Sequence, residues 1–209
     1  MDVRITIFGG TRGTGRHLVR LALAEGHDVE VVARRPDALT ERHSRLSVRQ
    51  GDVLEPETLT VGQADAVVLL AGPSGGGPTR LYSLGGGNVA RAMVEQGVRR
   101  LVAVTNGLGN HPADTVPQRL LKVILHNTLL RHGHRDARLF ERELLGRDLD
   151  WTVVQPPRLT DAPATGRYRT AVGDSVRGGV SISREDLAGY VLRIIAAPET
   201  YRKVMGVAY

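Results

Sequence analysis

An apolar run, residues 3–8, leads into Gly9-Gly10-Thr11-Arg12-Gly13-Thr14-Gly15, and a helical pattern starts at His17-Leu18-Val19. Strand, glycine turn and helix in immediate succession are the opening of a βαβ unit that receives a dinucleotide. Gly9 and Gly13 permit a tight turn with backbone angles that side chains disfavour. Without side chains the main chain can approach a pyrophosphate, and Gly15 lets the helix pack close to the strand. Thr11, Arg12 and Thr14 complete the turn. The first N–H groups of the helix carry partial positive charge toward an anion. A tight strand-to-helix turn with nothing bound would use the same glycines.

The rest of the chain repeats this alternation. Strand-like runs fall at residues 28–33, 46–49, 64–71, 100–105, 151–154, 167–172, 180–183 and 204–208. Helical segments fall at 14–25, 117–132, 136–145 and 184–197, with another running to Gln96 and short turns at 36 and 56–59. Such alternation predicts an α/β fold: a Rossmann-like, doubly wound parallel sheet with helices on both faces. The 209 residues suit a single domain, 1–209, with a small carboxyl-terminal extension on the substrate side. Gly85-Gly86-Gly87 leaves two options, a helix starting after the glycines or a backbone approached closely by a neighbour.

Several classes are disfavoured. No apolar run reaches the roughly 20 residues of a membrane span. Residues 1–4 lack a leader-like layout, and a cytoplasmic location is expected. There is no cysteine, so thiolate catalysis and cysteine-based metal sites are excluded. His132 and His134 lie close together without a third ligand at useful spacing, so no metal site is expected. The net charge of +6 raises the possibility of nucleic acid, but the arginines are dispersed and no aromatic residues interleave with them. No nucleic-acid or membrane partner is expected, and the protein should be a monomer or small homo-oligomer.

The second strand ends Val31-Val32-Ala33 and continues into Arg34-Arg35-Pro36. A carboxylate at that point would accept from the 2′-hydroxyl of NAD, whereas guanidiniums match the 2′-phosphate of NADP. Arg12, Arg34 and Arg35 therefore point to NADP(H), unless they are merely a solvated set in an arginine-rich chain. Asp52 and Val53 follow the third strand. Asp52 suits a turn or cap; the glycine spacing resembles the short-chain dehydrogenase/reductase superfamily, and that resemblance implies an Asp here beside the adenine, making Asp52 and Val53 candidates. Ala71 and Gly72 begin the Gly/Pro/Ser loop after the most apolar strand, where open α/β sheets bind ligands. Ser74 and Thr79 lie on the same loop.

The only lysines are Lys122 and Lys203, and neither follows a tyrosine by four residues. The Tyr-x-x-x-Lys pair of many short-chain dehydrogenases is thus absent. The spacing Gly-x-x-x-Gly-x-Gly resembles the short-chain dehydrogenase/reductase superfamily, and the strand Leu149-Asp150-Trp151-Thr152, the pair Pro156-Pro157, Thr165-Gly166-Arg167-Tyr168 and Ser183-Arg184-Glu185-Asp186 resemble its atypical, NmrA-like NAD(P)H-binding reductases, close to the flavin reductase/biliverdin reductase B group. The resemblance covers nearly the whole chain. It implies hydride transfer from NADPH to a planar acceptor, a flavin or quinone, and places Thr105 and Pro156 beside the cofactor.

Two positions depart from the family pattern. Asn106 stands where a serine is common, and Arg158 where a histidine often follows the proline pair. Asn106 would orient a carboxamide or acceptor carbonyl, and Arg158 would stabilise developing negative charge. A loop cap and a surface ion pair are the plainer readings of these two. His111 is a candidate proton donor, or simply a solvated loop histidine. Trp151 reads as core. A non-catalytic NADP sensor is the alternative function, and an isomerase or dehydratase with a retained dinucleotide is a third.

Overall fold

A computed structural model describes residues 2–73, 77–106, 131–173 and 175–209. His111, Ser74 and most of the expected helix at 117–132 lie outside the described residues. Strand β1 (Arg4–Phe8) is followed by α1 (Gly13–Ala24), β2 (Asp28–Ala33), β3 (Leu46–Gln50) and β4 (Ala66–Leu69). Next come α2 (Gly87–Glu95), β5 (Arg100–Val104), α3 (Arg131–Leu145), β6 (Asp150–Gln155), β7 (Arg158–Thr160), β8 (Arg169–Val172) and β9 (Ser181–Ser183). The chain closes with α4 (Arg184–Ile194) and β10 (Lys203–Ala208).

Among the described residues, eight strands form one sheet in the order β3-β2-β1-β4-β5-β6-β10-β8. The pairs from β3 through to β10 are parallel. Among the described strands only β8 runs antiparallel, beside β10. An antiparallel edge strand on an otherwise parallel sheet needs no crossover and can face water, and three of the four β8 residues are exposed. Strands β7 and β9 pair as a separate two-stranded sheet. The expected strand at 167–172 is therefore shorter and reversed, and β7, hidden between Pro157 and Asp161 in sequence, is an addition.

Side chains alternate across the central strands into two cores. Ile5, Ile7, Val68, Val102 and Val154 pack with Leu18 and Val19 of α1 and Leu187 and Val191 of α4. Phe8, Val67, Leu69, Leu101, Ala103, Trp151 and Val153 pack on the other face with Met93 of α2 and Phe140 and Leu144 of α3. Burial on both faces explains the near-continuous apolar runs of β4 and β5. The triple glycine is part of this packing. A π-helical turn, Leu81–Gly86, runs directly into α2, and a Cβ at Gly86 would lie 2.6 Å from the Phe140 ring. The second of the two sequence options, close approach, is the one realised.

A buried arginine ties the sheet to α4 at its end. Arg100, 5% exposed, donates Nε–H to Ile195 O (2.8 Å) and Nη2–H to Ile194 O (2.6 Å). Its Nη1 serves Asp150 O (2.7 Å) and Thr152 Oγ1 (2.8 Å). A cation at a helix C-terminus meets the negative end of the helix dipole. Burial pushes its pKa down to about 10, which still leaves it charged at neutral pH. Among the described residues no helix is long and apolar enough to cross a membrane.

Candidate dinucleotide site

The strand order turns back on itself between β1 and β4: β2 and β3 lie to one side of β1, and β4, β5 and β6 to the other. Ligands of open α/β sheets bind beyond the carboxyl ends of the strands at such a switch point. A crevice of about 410 Å³ lies there. Gly9, Thr11, Arg12, Gly13, Arg34, Arg35, Asp52, Val53, Ala71 and Gly72 line it together. These ten are all sequence-predicted binding positions, drawn from the ends of β1, β2, β3 and β4.

The glycine turn has the expected conformation. Gly9 sits at φ +89° and Gly13 at φ +53°. Gly15 lies beneath the turn, where a Cβ would fall 2.0 Å from the Gly9 carbonyl oxygen. The start of α1 is unusually open to an anion. Arg12 occupies its N-cap in extended conformation without a side-chain cap, and the first turn holds no acidic residue. Thr14 Oγ1 is buried with no hydrogen-bond partner among the described residues. By contrast, Ser183 caps α4 by accepting the Asp186 N–H at 3.0 Å. An uncapped helix start beside an unserved buried hydroxyl fits a pyrophosphate group.

The charge of the crevice points the same way. Among the described residues its lining contains four guanidiniums, those of Arg12, Arg34, Arg35 and Arg184, against one carboxylate, Asp52. Arg34 Nε stands 4.0 Å from Asp52 Oδ2, and Arg34 is largely exposed. Exposed pairs of this kind contribute little, about 0–1 kcal/mol. Asp52 lines the crevice, and its Oδ1 accepts the Leu54 N–H at 3.0 Å as a turn residue.

Other predicted residues lie outside this lining. Thr105 is buried at the end of β5, and its Oγ1 donates to Glu141 Oε1 at 3.3 Å. Asn106 Oδ1 accepts the Tyr82 hydroxyl at 3.2 Å, and a Cβ at Gly133 would meet Asn106 Nδ2 at 2.8 Å. Pro156 is buried, and Arg158 is exposed on β7. Trp151 is core, as its strand position suggested.

Sequence reasoning passed over three residues. Arg184 lines the crevice although it lies far along the chain. Tyr82, whose backbone N–H donates to Asp136 Oδ2 at 2.8 Å, is set by the π-helical turn. Burial, with Asp136 nearby, pushes its hydroxyl pKa well up, so it is a weak acid held as a donor to Asn106. Glu141 accepts from Thr105 and from Gln155 Nε2 (2.7 Å), joining the ends of β5 and β6, and burial pushes its pKa up. Arg184 belongs to the Ser183-Arg184-Glu185-Asp186 helix start, which marks a helix but not a place in the crevice.

Comparison with known proteins agrees with this geometry. The sequence pattern of a family described as NAD(P)H-binding matches residues 9–198. The UPF0659 protein C216.03 of Schizosaccharomyces pombe is 28% identical, covering 89% of this chain and 81% of that protein. A short-chain dehydrogenase/reductase from Veillonella parvula, solved in complex with NADP, superposes with a TM-score of 0.81 at 19% identity, covering 100% of this chain and 95% of that one. The anaerobilin reductase ChuY from Escherichia coli O157:H7 gives 0.78 at 21% identity, covering 98% and 96%.

Proposed function

We propose that this chain, which belongs to the NAD(P)H-binding family, is an NADPH-dependent reductase that passes hydride to a planar acceptor, a flavin or a quinone. The observation that carries the reading is the crevice itself. It joins an uncapped helix start to an arginine-rich rim, on a chain without the Tyr-x-x-x-Lys pair. An aromatic acceptor needs ring alignment more than a strong dedicated acid, because solvent can supply its proton. The likeness to a reductase and to an NADP complex supports this choice.

Bound NADPH would supply the hydride; the chain supplies the placement. The Gly9–Gly13 turn and the N–H groups of α1 hold the pyrophosphate. Arg34 and Arg35, joined by Arg12, hold the 2′-phosphate. Thr105 and Asn106, braced by Glu141 and Tyr82, form a fixed polar ledge at the end of β5. Arg158, exposed on β7, meets negative charge on an acceptor. His111 is retained as an additional proton source.

Two expectations follow from these roles. NADP(H) binds more tightly than NAD(H), and replacing Arg34 and Arg35 together with glutamine erodes the preference. Because Arg34 is largely exposed, the pair together is worth about one charge-assisted hydrogen bond, roughly 1.5–3 kcal/mol, so the preference should fall roughly ten- to a hundredfold. Calorimetry giving equal affinities for the two coenzymes in the unmodified protein would contradict the assignment. In steady-state assays, Asn106→Ala and His111→Ala slow turnover without abolishing it. Arg158→Ala raises KM chiefly for acceptors carrying negative charge; an equal effect on neutral quinones would remove Arg158 from this role.

A further inference from the structure

Arg184 is the first residue of α4, and its side chain lies across the glycine turn. A Cβ at Gly13 would stand 3.3 Å from Arg184 Nε and 3.4 Å from its Cδ. Its Nη1 donates to Asp161 Oδ1 at 2.7 Å. Asp161 is itself 87% exposed, whereas the Arg184 side chain is 29% exposed. The Nε edge of the guanidinium is therefore the edge beside the turn, and the Nη1 end is anchored beyond β7.

The anchoring is systematic. The first three residues of α4 hold the segment that follows β7. Arg184 takes Asp161, Glu185 Oε2 accepts the Ala164 N–H at 3.1 Å, and Asp186 accepts the N–H groups of Thr165 and Gly166, each at 2.8 Å. Asp186 also accepts the Tyr209 hydroxyl at 2.6 Å. These hydrogen bonds hold its carboxyl pKa below the ordinary value even though burial opposes them. The Thr165-Gly166 turn is thus a structural tether to α4.

We propose that Arg184 is a pyrophosphate-binding residue of the dinucleotide site, aimed by its ion pair with Asp161, so that one side chain holds both the cofactor and the segment after β7. The other three cations among the described lining residues, Arg12, Arg34 and Arg35, come from the first βαβ unit; Arg184 brings charge from the opposite end of the chain. Arginine suits this task because its planar donor fork can serve an anion along one edge while an ion pair occupies the other. Asp161 is a positioning residue in this arrangement.

The inference rests on the NAD(P)H-binding reading, and its test reads binding alone, so it stands or falls independently of the acceptor. Calorimetry with NADPH, NADH and adenosine 2′-monophosphate separates the contributions, because the last ligand lacks a pyrophosphate. Arg184→Met should weaken NADPH and NADH by the same factor, about tenfold or more, and leave adenosine 2′-monophosphate within about twofold. Arg184→Lys should recover part of the loss. Asp161→Asn should weaken both dinucleotides by a smaller common factor. The unchanged NADPH-to-NADH ratio distinguishes Arg184 from Arg34 and Arg35. Wild-type dinucleotide affinity in folded Arg184→Met would overturn the proposal. So would a matching loss of adenosine 2′-monophosphate, which would mark a general structural role, and so would an unmodified protein that binds none of the three ligands.

Discussion

Replacing Gly13 with valine is expected to cut NADPH affinity by about a hundredfold or more, roughly 2.7 kcal/mol, while the domain stays folded. Two effects add. Gly13 sits at φ +53°, where a β-branched residue is strained by roughly 1–3 kcal/mol. Its new side chain would also crowd Arg184 Nε, 3.3 Å from the Cβ position, and take up the space a phosphate needs. Gly13 is exposed, so no core contact is lost. Calorimetric titration beside circular dichroism checks both halves. A folded variant with wild-type affinity would reduce the glycine turn to a structural device.

The second large effect concerns stability rather than binding. Arg100→Met retains an apolar stem but removes the donors that serve Ile194 O, Ile195 O and Asp150 O. Each buried acceptor left unserved costs about 1–3 kcal/mol. A total of about 3–5 kcal/mol is expected, near that for breaking a buried charged network. The midpoint of thermal unfolding should fall by roughly 10 °C, since each kcal/mol shifts a protein of this size by about 2–4 °C. Arg100 lies at the amino end of β5, opposite the crevice, so NADPH affinity below the transition should not change. A loss under about 1 kcal/mol by urea unfolding would show that the network contributes little.

What could be read from the sequence was mostly local. The Gly9–Gly15 turn announced itself because strand, turn and helix are adjacent and each glycine has a steric task. Arg34 and Arg35 could be placed at the crevice because they directly follow the end of β2. Asp28–Ala33 was bounded fully, since apolar alternation stops at both ends. Contacts between distant parts of the chain were not legible. Arg184 joins the crevice only because α4 packs beside α1, and no local pattern records that packing. Strand β7 spans three residues beside a proline pair, too short for a periodic signal. The reversal of β8 depends on which edge it pairs with, and alternation carries no direction. Glu141 resembles any other carboxylate on α3 until Thr105 and Gln155 are brought to it.

The motifs that carried the family resemblance also separate by role. Gly9 and Gly13 of Gly-x-x-x-Gly-x-Gly line the crevice, with Gly15 beneath them. Thr165-Gly166 is held by Asp186, and Trp151 is core. The latter two preserve the platform rather than line the crevice.

Anaerobic stopped-flow mixing of the NADPH-loaded protein with flavin or quinone measures the central step without the ambiguity of steady-state turnover. The reduced-nicotinamide band should decay in a single turnover at a rate that saturates with acceptor, and NADPH deuterated at the transferred position should slow that decay. A band that persists at saturating NADPH with every flavin and quinone, in a protein that binds the coenzyme tightly, would contradict the reductase account and leave a coenzyme-binding sensor in its place.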